Sequence, residues 1–263
     1  MSFKQSVAVV SSIFALASTA CGTRAVVPLS AAATVTCPGG SIHNAGDAAN
    51  YRACNLVQGD LTVSAADLSD LTALSALRRV TGTLRISESP ALDDLGGLEN
   101  LSSVGALEVH HDTDLDDLSG LESLRQAGRV EVTDNPELTT LNGLQGLTST
   151  GRLVLRNNAL FTANGLAGLR EVGDLVVTHN HQLNSLNGLR SLGHARSVEI
   201  AQNPVLYGKD LLPQLKRLDA PLVLDANRAI SKSDVRALLE RTGQVGSSQF
   251  ALVEARKRDA SAR

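Results

Sequence analysis

Gly128-Arg129-Val130-Glu131-Val132-Thr133-Asp134-Asn135 opens one period of a repeat, and Leu138, Leu141, Leu144 and Leu147 close it. The Gly-x-Leu-x-Val opening recurs along the chain. Earlier copies are Gly59-Asp60-Leu61-Thr62-Val63, Gly82-Thr83-Leu84-Arg85-Ile86 and Gly105-Ala106-Leu107-Glu108-Val109. Later ones are Gly151-Arg152-Leu153-Val154-Leu155 and Gly173-Asp174-Leu175-Val176-Val177, then two without the glycine, Arg196-Ser197-Val198-Glu199-Ile200 and Ala220-Pro221-Leu222-Val223-Leu224. Successive first positions differ by 23, 23, 23, 23, 22, 23 and 24 residues, a regularity that chance does not give.

Each period has three parts. Alternating apolar residues such as Leu84 and Ile86 send both side chains to one side of a short strand. A turn follows with a recurring Asn or a stand-in: Ser89, Asp112, Asn135, Asn158, Asn180, Asn203 and Asn227. Leucines three apart come next, as in Leu92, Leu95, Leu98 and Leu101, a spacing that fits short helical or 3-10 segments with one buried stripe. Gly97, Gly120, Gly143, Gly165 and Gly188 precede the third leucine of each run, where a tight turn favours glycine.

One such unit cannot bury its leucines alone. Stacked units share an apolar interior, and their strands align as a parallel sheet spaced at roughly 4.8 Å, so eight strands extend about 35 Å. Asn135, Asn158, Asn180, Asn203 and Asn227 carry both donors and an acceptor, and are read as a structural ladder between coils. Both ends of a stack need covers. Cys37 and Cys54 bracket a polar loop at the front, and their disulfide would contribute about 3 kcal/mol by loop closure. At the back, Ser231-Lys232-Ser233-Asp234 predicts a capping box and a helix over about 231–243 burying Val235, Leu238 and Leu239.

These residues resemble leucine-rich repeats, and the glycine before each strand with the front cysteine pair resembles the receptor L domain, over residues 37–243. The resemblance implies an α/β solenoid. Its form is a right-handed superhelix with a parallel β-sheet on one face and short helical or 3-10 segments opposite. It also implies protein ligands on the sheet. Within it, 37–58 would be the N-terminal cap, and 244–263 reads as a disordered tail.

The N-terminus reads as an export signal over residues 1–20: Lys4, an apolar stretch, then small residues before Cys21. Leu16-Ala17-Ser18-Thr19-Ala20-Cys21 resembles a bacterial lipobox, with Ser18 where that pattern prefers Leu. The resemblance implies lipidation of Cys21 and a membrane anchor in the cell envelope. Cleavage after Ala20 or Ala17 without lipid, giving a secreted chain, is the alternative. Residues 21–36 read as a tether.

Hydrophobic residues make up 43% of the chain, aromatics 2%, and the formal charge is −3, so the core is aliphatic and the field does not suit nucleic acid. No Gly-x-Ser-x-Gly, phosphate loop, His-Glu-x-x-His or Cys-x-x-Cys occurs. Neither an enzyme, a cofactor nor a metal site is expected. His110, His111, His179 and His181 read as surface histidines, and Asp93, Asp94, Asp112, Asp114, Asp116 and Asp117 as solvated turn charges. The outward strand positions remain. Arg85, Glu108, His110, Arg129, Glu131, Thr133, Arg152, Val154, Arg156, Val176 and Glu199 form the candidate binding face, charged at the ends and apolar at Val154 and Val176. The expected function is a non-enzymatic envelope binding module for a protein partner. A structural or carbohydrate-associated surface protein is the alternative.

Overall fold

The computed structural model describes residues 34–208, 211–220 and 222–244. The signal segment, Cys21 and the tail from 245 onward lie outside them. The strands are β1 (Thr36–Ile42), β2 (Leu56–Val63), β3 (Arg79–Ser87), β4 (Ser103–His110), β5 (Gln126–Thr133), β6 (Ser149–Arg156), β7 (Glu171–Thr178), β8 (His194–Ala201), β9 (Arg217–Leu218) and β10 (Leu222–Asp225). They form one parallel sheet in chain order from β1 to β8, with β10 and the short β9 both pairing with β8. The solenoid expected from the 23-residue period is the observed fold.

Alternation within each strand, repeated in register, builds the core. Leu61, Leu84, Leu107, Val130, Leu153, Leu175, Val198 and Leu222 form one inward row, and Val63, Ile86, Val109, Val132, Leu155, Val177, Ile200 and Leu224 the next. The leucines of the three-residue runs close the interior from the other side, nearly all fully buried. Each fully buried Leu stabilises by about 1.5–3 kcal/mol. Opposite the sheet, the described residues include two 3-10 helices, Thr72–Leu74 and Asn187–Leu189, and otherwise turns.

The glycines of the leucine runs have two reasons to be there. Gly97, Gly120, Gly143 and Gly165 have φ of 103–111°. A Cβ on any of them would also strike a carbonyl of the preceding coil, Leu118 O for Gly143 at 1.8 Å. Gly188 departs from the expectation. Its turn has tightened into a 3-10 helix, so left-handed geometry is not needed, but the close approach to Ala163 O remains.

The front cap is more structured than a polar loop. Cys37 lies in β1 itself and is bonded to Cys54, with Cα atoms 5.9 Å apart. Between them, Asn44 caps the short helix α1 (Ala45–Ala49) by accepting from Gly46 N and Asp47 N. The tether boundary shifts as well: Val35 O accepts from Asn55 N and Leu56 N, and Thr36 is already in the sheet. At the other end, helix α2 (Lys232–Arg241) starts with a capping box between Ser231 and Asp234 and buries Val235, Leu238 and Leu239. Arg241 donates to Leu211 O and Leu212 O, tying the helix to the last coil. Among the described residues no helix is long and apolar enough to cross a membrane.

Candidate functional site

The outward residues of β3 to β8 fall into rows across the sheet. Thr62, Arg85, Glu108, Glu131, Val154, Val176, Glu199 and Val223 are successive partners in one row. Thr83, Ala106, Arg129, Arg152, Asp174 and Ser197 form the row before it, and Ser87, His110, Thr133, Arg156, Thr178 and Ala201 the row after.

Neighbouring rows are joined by a continuous chain of opposite charges. Glu108 accepts from Arg85 at 2.7 Å and also pairs with Arg129. Arg129 lies 3.5 Å from Glu131, Glu131 3.6 Å from Arg152, and Arg152 3.8 Å from Asp174, which also pairs with Arg196. The four arginine side chains are 42–61% exposed, whereas the three carboxylates are 9–28% exposed. The acids therefore sit below and the guanidiniums form the outermost layer. Each exposed pair is worth little, but a network fixes the arginines in place.

Two of the expected contact residues are buried. Glu108 is 7% exposed because it lies between two arginines, and Val154 is 8% exposed. Val154 is flanked on its own strand by Arg152 and Arg156, whose apolar stems share its side of the sheet. The face therefore has no open apolar centre at Val154. Val176 is half-buried, and Glu199 is exposed. Arg156 pairs with Asp134 at 3.7 Å on the turn above the strand. His110 is half-buried, with its Nδ1 3.0 Å from His111 Nδ1; burial, then the charges of His111 and Arg85, lower its pKa.

Asp174, Arg196 and Ser197 belong to the same charge chain. Stepping the Arg129–Arg152 row two strands further would have located Asp174 and Ser197, with Arg196 one residue before the latter. At the start of the strands, His194 lies between Glu171 (2.9 Å) and Asp219 (3.0 Å), and these hydrogen bonds, that of Asp219 first, raise its pKa. No local motif marks this trio, because its members come from three coils.

The asparagines make the backbone ladder. Asn135 Nδ2 donates to Val109 O, and the equivalent bonds run from Asn158 to Val132, Asn180 to Leu155, Asn203 to Val177 and Asn227 to Ile200, at 2.6–3.2 Å. Each Oδ1 accepts the backbone N–H of the rung before it, as Asn158 does from Asn135 at 3.1 Å. Asp112 occupies the same site, fully buried, and so is not one of the solvated turn charges. Its Oδ1 accepts from Ser89 N at 2.8 Å, whereas its Oδ2 has no partner. Burial pushes its pKa up to about 6.

Before each rung stands a non-glycine residue in left-handed conformation: Glu88, His111, Asp134, Asn157, His179, Gln202 and Ala226, with φ of 51–62°. His111 and His179 thus occupy turn corners. His111 and His181 line one recess of about 560 Å³. No cluster of three potential ligands able to hold a metal ion occurs among the described residues.

With this geometry in view, residues 53–164 match the family model of the Receptor L domain. No curated protein and no solved structure matches the chain. The matched stretch runs from Cys54 through β2 to β6, and β7, β8 and β10 continue the same register beyond it. The Receptor L domain is a ligand-binding module, and a disulfide beside it is a feature of exported proteins.

Proposed function

We propose, taking residues 53–164 as a Receptor L domain, that this chain is a non-enzymatic binding module of the cell envelope whose sheet recognises a protein partner. The observation that carries this reading is the fixed comb of arginines on the sheet. Arg85, Arg129, Arg152 and Arg196 are held from below by carboxylates, so their side-chain entropy is already reduced before a partner arrives. Arginine is also a residue type enriched at protein interfaces. Lipidation at Cys21 would keep the solenoid at a membrane surface, with each buried methylene adding about 0.8 kcal/mol. Two measurements test the reading. Mass spectrometry of the mature N-terminus gives a lipid-modified Cys21 for an anchored protein and an unmodified terminus for a secreted one. Thr133→Trp sets a bulky group on the sheet beside the Arg85–Arg196 charge chain and leaves that chain's ion pairs in place, giving up only the hydrogen bond from Thr133 to Asp134. An envelope partner cross-linked to the native chain should be lost from this variant, and its undiminished recovery would remove the sheet as the binding face.

A further inference from the structure

The solenoid is built in two blocks. In β2 and β3 the first two inward residues stand four apart, Val57 to Leu61 and Val80 to Leu84. From β4 to β8 they stand three apart, as Val104 to Leu107 and Ala127 to Val130 do. β2 and β3 share the extra residue, so they pair in constant register, and β4 to β8 share its absence and pair likewise. The two patterns meet between β3 and β4. There the register shifts between Val80 and Thr83, and Thr81 and Gly82 together face Gly105.

The bonds between coils change at the same place. Behind it, Asn135 Nδ2 donates to Val109 O at 3.2 Å, and each later rung repeats the bond. Ahead of it, other side chains tie the coils of β2 and β3. Thr81 Oγ1 accepts from Gly59 N at 2.9 Å, Asp60 Oδ1 accepts from Thr83 N at 2.7 Å, and Asn100 Nδ2 donates to Ser75 O at 2.8 Å. The junction itself holds Asp112. Its Oδ1 accepts from Ser89 N, and its Oδ2, buried and without a partner, stands by register opposite Ile86 O. Beside it, Ser102 Oγ donates to Arg78 O at 3.0 Å and Arg85 pairs with Glu108.

In a stack whose stability is summed over neighbouring coils, the weakest junction parts first. A protonated Asp112 donates to Ile86 O and completes the rung. An ionised one sets two acceptors against each other away from water. Burial raises the pKa of Asp112 to about 6, helped by Glu88 on the coil before and opposed by the bond from Ser89 and the charge of His111. His110 and, on the coil after, Asp134 interact with His111; His110 also lies near Arg85 and Glu108, and Asp134 pairs with Arg156. The closed junction thus binds the proton more tightly than the open one. Acid closes it, and the closure is lost as pH rises through about 6.

We infer that the β3–β4 junction is a proton-controlled joint, closed when Asp112 is protonated and opening, with both blocks still folded, when it is ionised. Opening also parts Arg85 from Glu108 and takes the first arginine off the comb, whatever partner the sheet has.

Amide hydrogen exchange, resolved by NMR on the full chain and corrected for the intrinsic effect of pH, tests it. Ser102 N and Asp116 N bond across the joint, to Arg78 O and Asp93 O. Leu71 N and Arg78 N, bonded to Gly96 O and Asn55 O, report on the front block. Arg125 N and Thr139 N, bonded to Ser102 O and Asp116 O, report on the rear one. Between pH 4 and pH 7.5 the opening constant at Ser102 and Asp116 should rise roughly 50-fold, as the ordinary and raised ionisation constants of Asp112 require, and at the other four amides at least ~10-fold less. Asp112→Asn keeps the shape and supplies the missing donor, and should hold Ser102 and Asp116 near their acid values at both pH. An equal rise at all six amides would mean that the chain unfolds as a whole, and would overturn the joint. So would the absence of a rise at Ser102 and Asp116, or a rise there that survives Asp112→Asn.

Discussion

The first two rungs of the turn ladder and the last five do the same geometric job with different atoms. From Asn135 to Asn227 each side chain accepts from one coil and donates to a strand carbonyl. Ser89 accepts from Ala65 N and donates within its own coil, to Ser87 O. Asp112 has the shape of Asn but an oxygen where its sisters have an NH2 group. By register, that oxygen belongs opposite Ile86 O, the partner of Val109 one coil earlier. Two acceptors cannot bond without a proton, and Oδ2 is indeed without a partner. The comparison separates what the ladder needs from the site, which is shape, from what it needs from the residue, which is a donor.

Removing a complete rung should have the largest effect. Asn158→Ala strands Asn135 N–H and Val132 C=O in the interior. An unsatisfied buried polar group costs about 1–3 kcal/mol, so urea denaturation should give a loss of about 4 kcal/mol for the two together. A loss below about 1 kcal/mol would mean that the ladder is incidental to the stacking.

Repairing the defective rung comes next. The folded pKa of Asp112, about 6, lies above its ordinary 3.8, so the native chain binds this proton more tightly than the unfolded one. Its contribution is fully present below pH 3.8 and is lost as pH rises through about 6. At about 1.4 kcal/mol per pH unit, the loss amounts to about 3 kcal/mol at pH 7. Asp112→Asn should recover that amount at pH 7 and nothing at pH 3.5. Equal stability of the two proteins at every pH would show that the carboxylate is satisfied when ionised.

This contrast also marks what the sequence could reveal. The 23-residue period and the leucine spacing specify coil, register and core, because a one-residue slip would turn every inward Leu outward. The turn site was legible too, with Ser89 and Asp112 recognised as stand-ins for Asn. What Asp112 lacks was not legible, because that depends on a carbonyl 26 residues upstream in the sequence, a distance seen only after stacking. The outward positions of the sheet were legible by row and not by exposure. Glu108 and Val154 alternate correctly with the core, yet the long arms of neighbouring arginines cover them. The trio of Glu171, His194 and Asp219 was missed because its members come from three coils, and β1, which starts at Thr36 and contains Cys37, because it lacks the repeat's pattern.

The corners before the rungs allow a smaller test. Ala226, with φ of 51°, precedes Asn227 in a region that a Cβ disfavours by roughly 1 kcal/mol. Part of the gain from glycine is offset by its freer unfolded chain. Ala226→Gly should therefore raise stability by about 0.5 kcal/mol. Asn157→Gly, at φ 53°, should gain less, because Asn tolerates this region and its Nδ2 donates to Asp134 at 2.8 Å. A larger gain at Asn157 than at Ala226 would mean that the strain does not follow residue type.

His111 joins the two comparisons, since it is both a left-handed corner, at φ 61°, and a neighbour whose charge lowers the pKa of Asp112 against the larger effect of burial. His111→Gly relieves the corner and removes the cation. The acid then has less help in ionising, so the midpoint at which stability declines should move up by a fraction of a pH unit. Denaturant midpoints measured from pH 4 to 8 would resolve it. Glu88 also acts on Asp112, in the opposite sense. Glu88→Gln should therefore move the midpoint down, and shifts of the same sign in the two variants would mean that something other than these charges governs the buried proton.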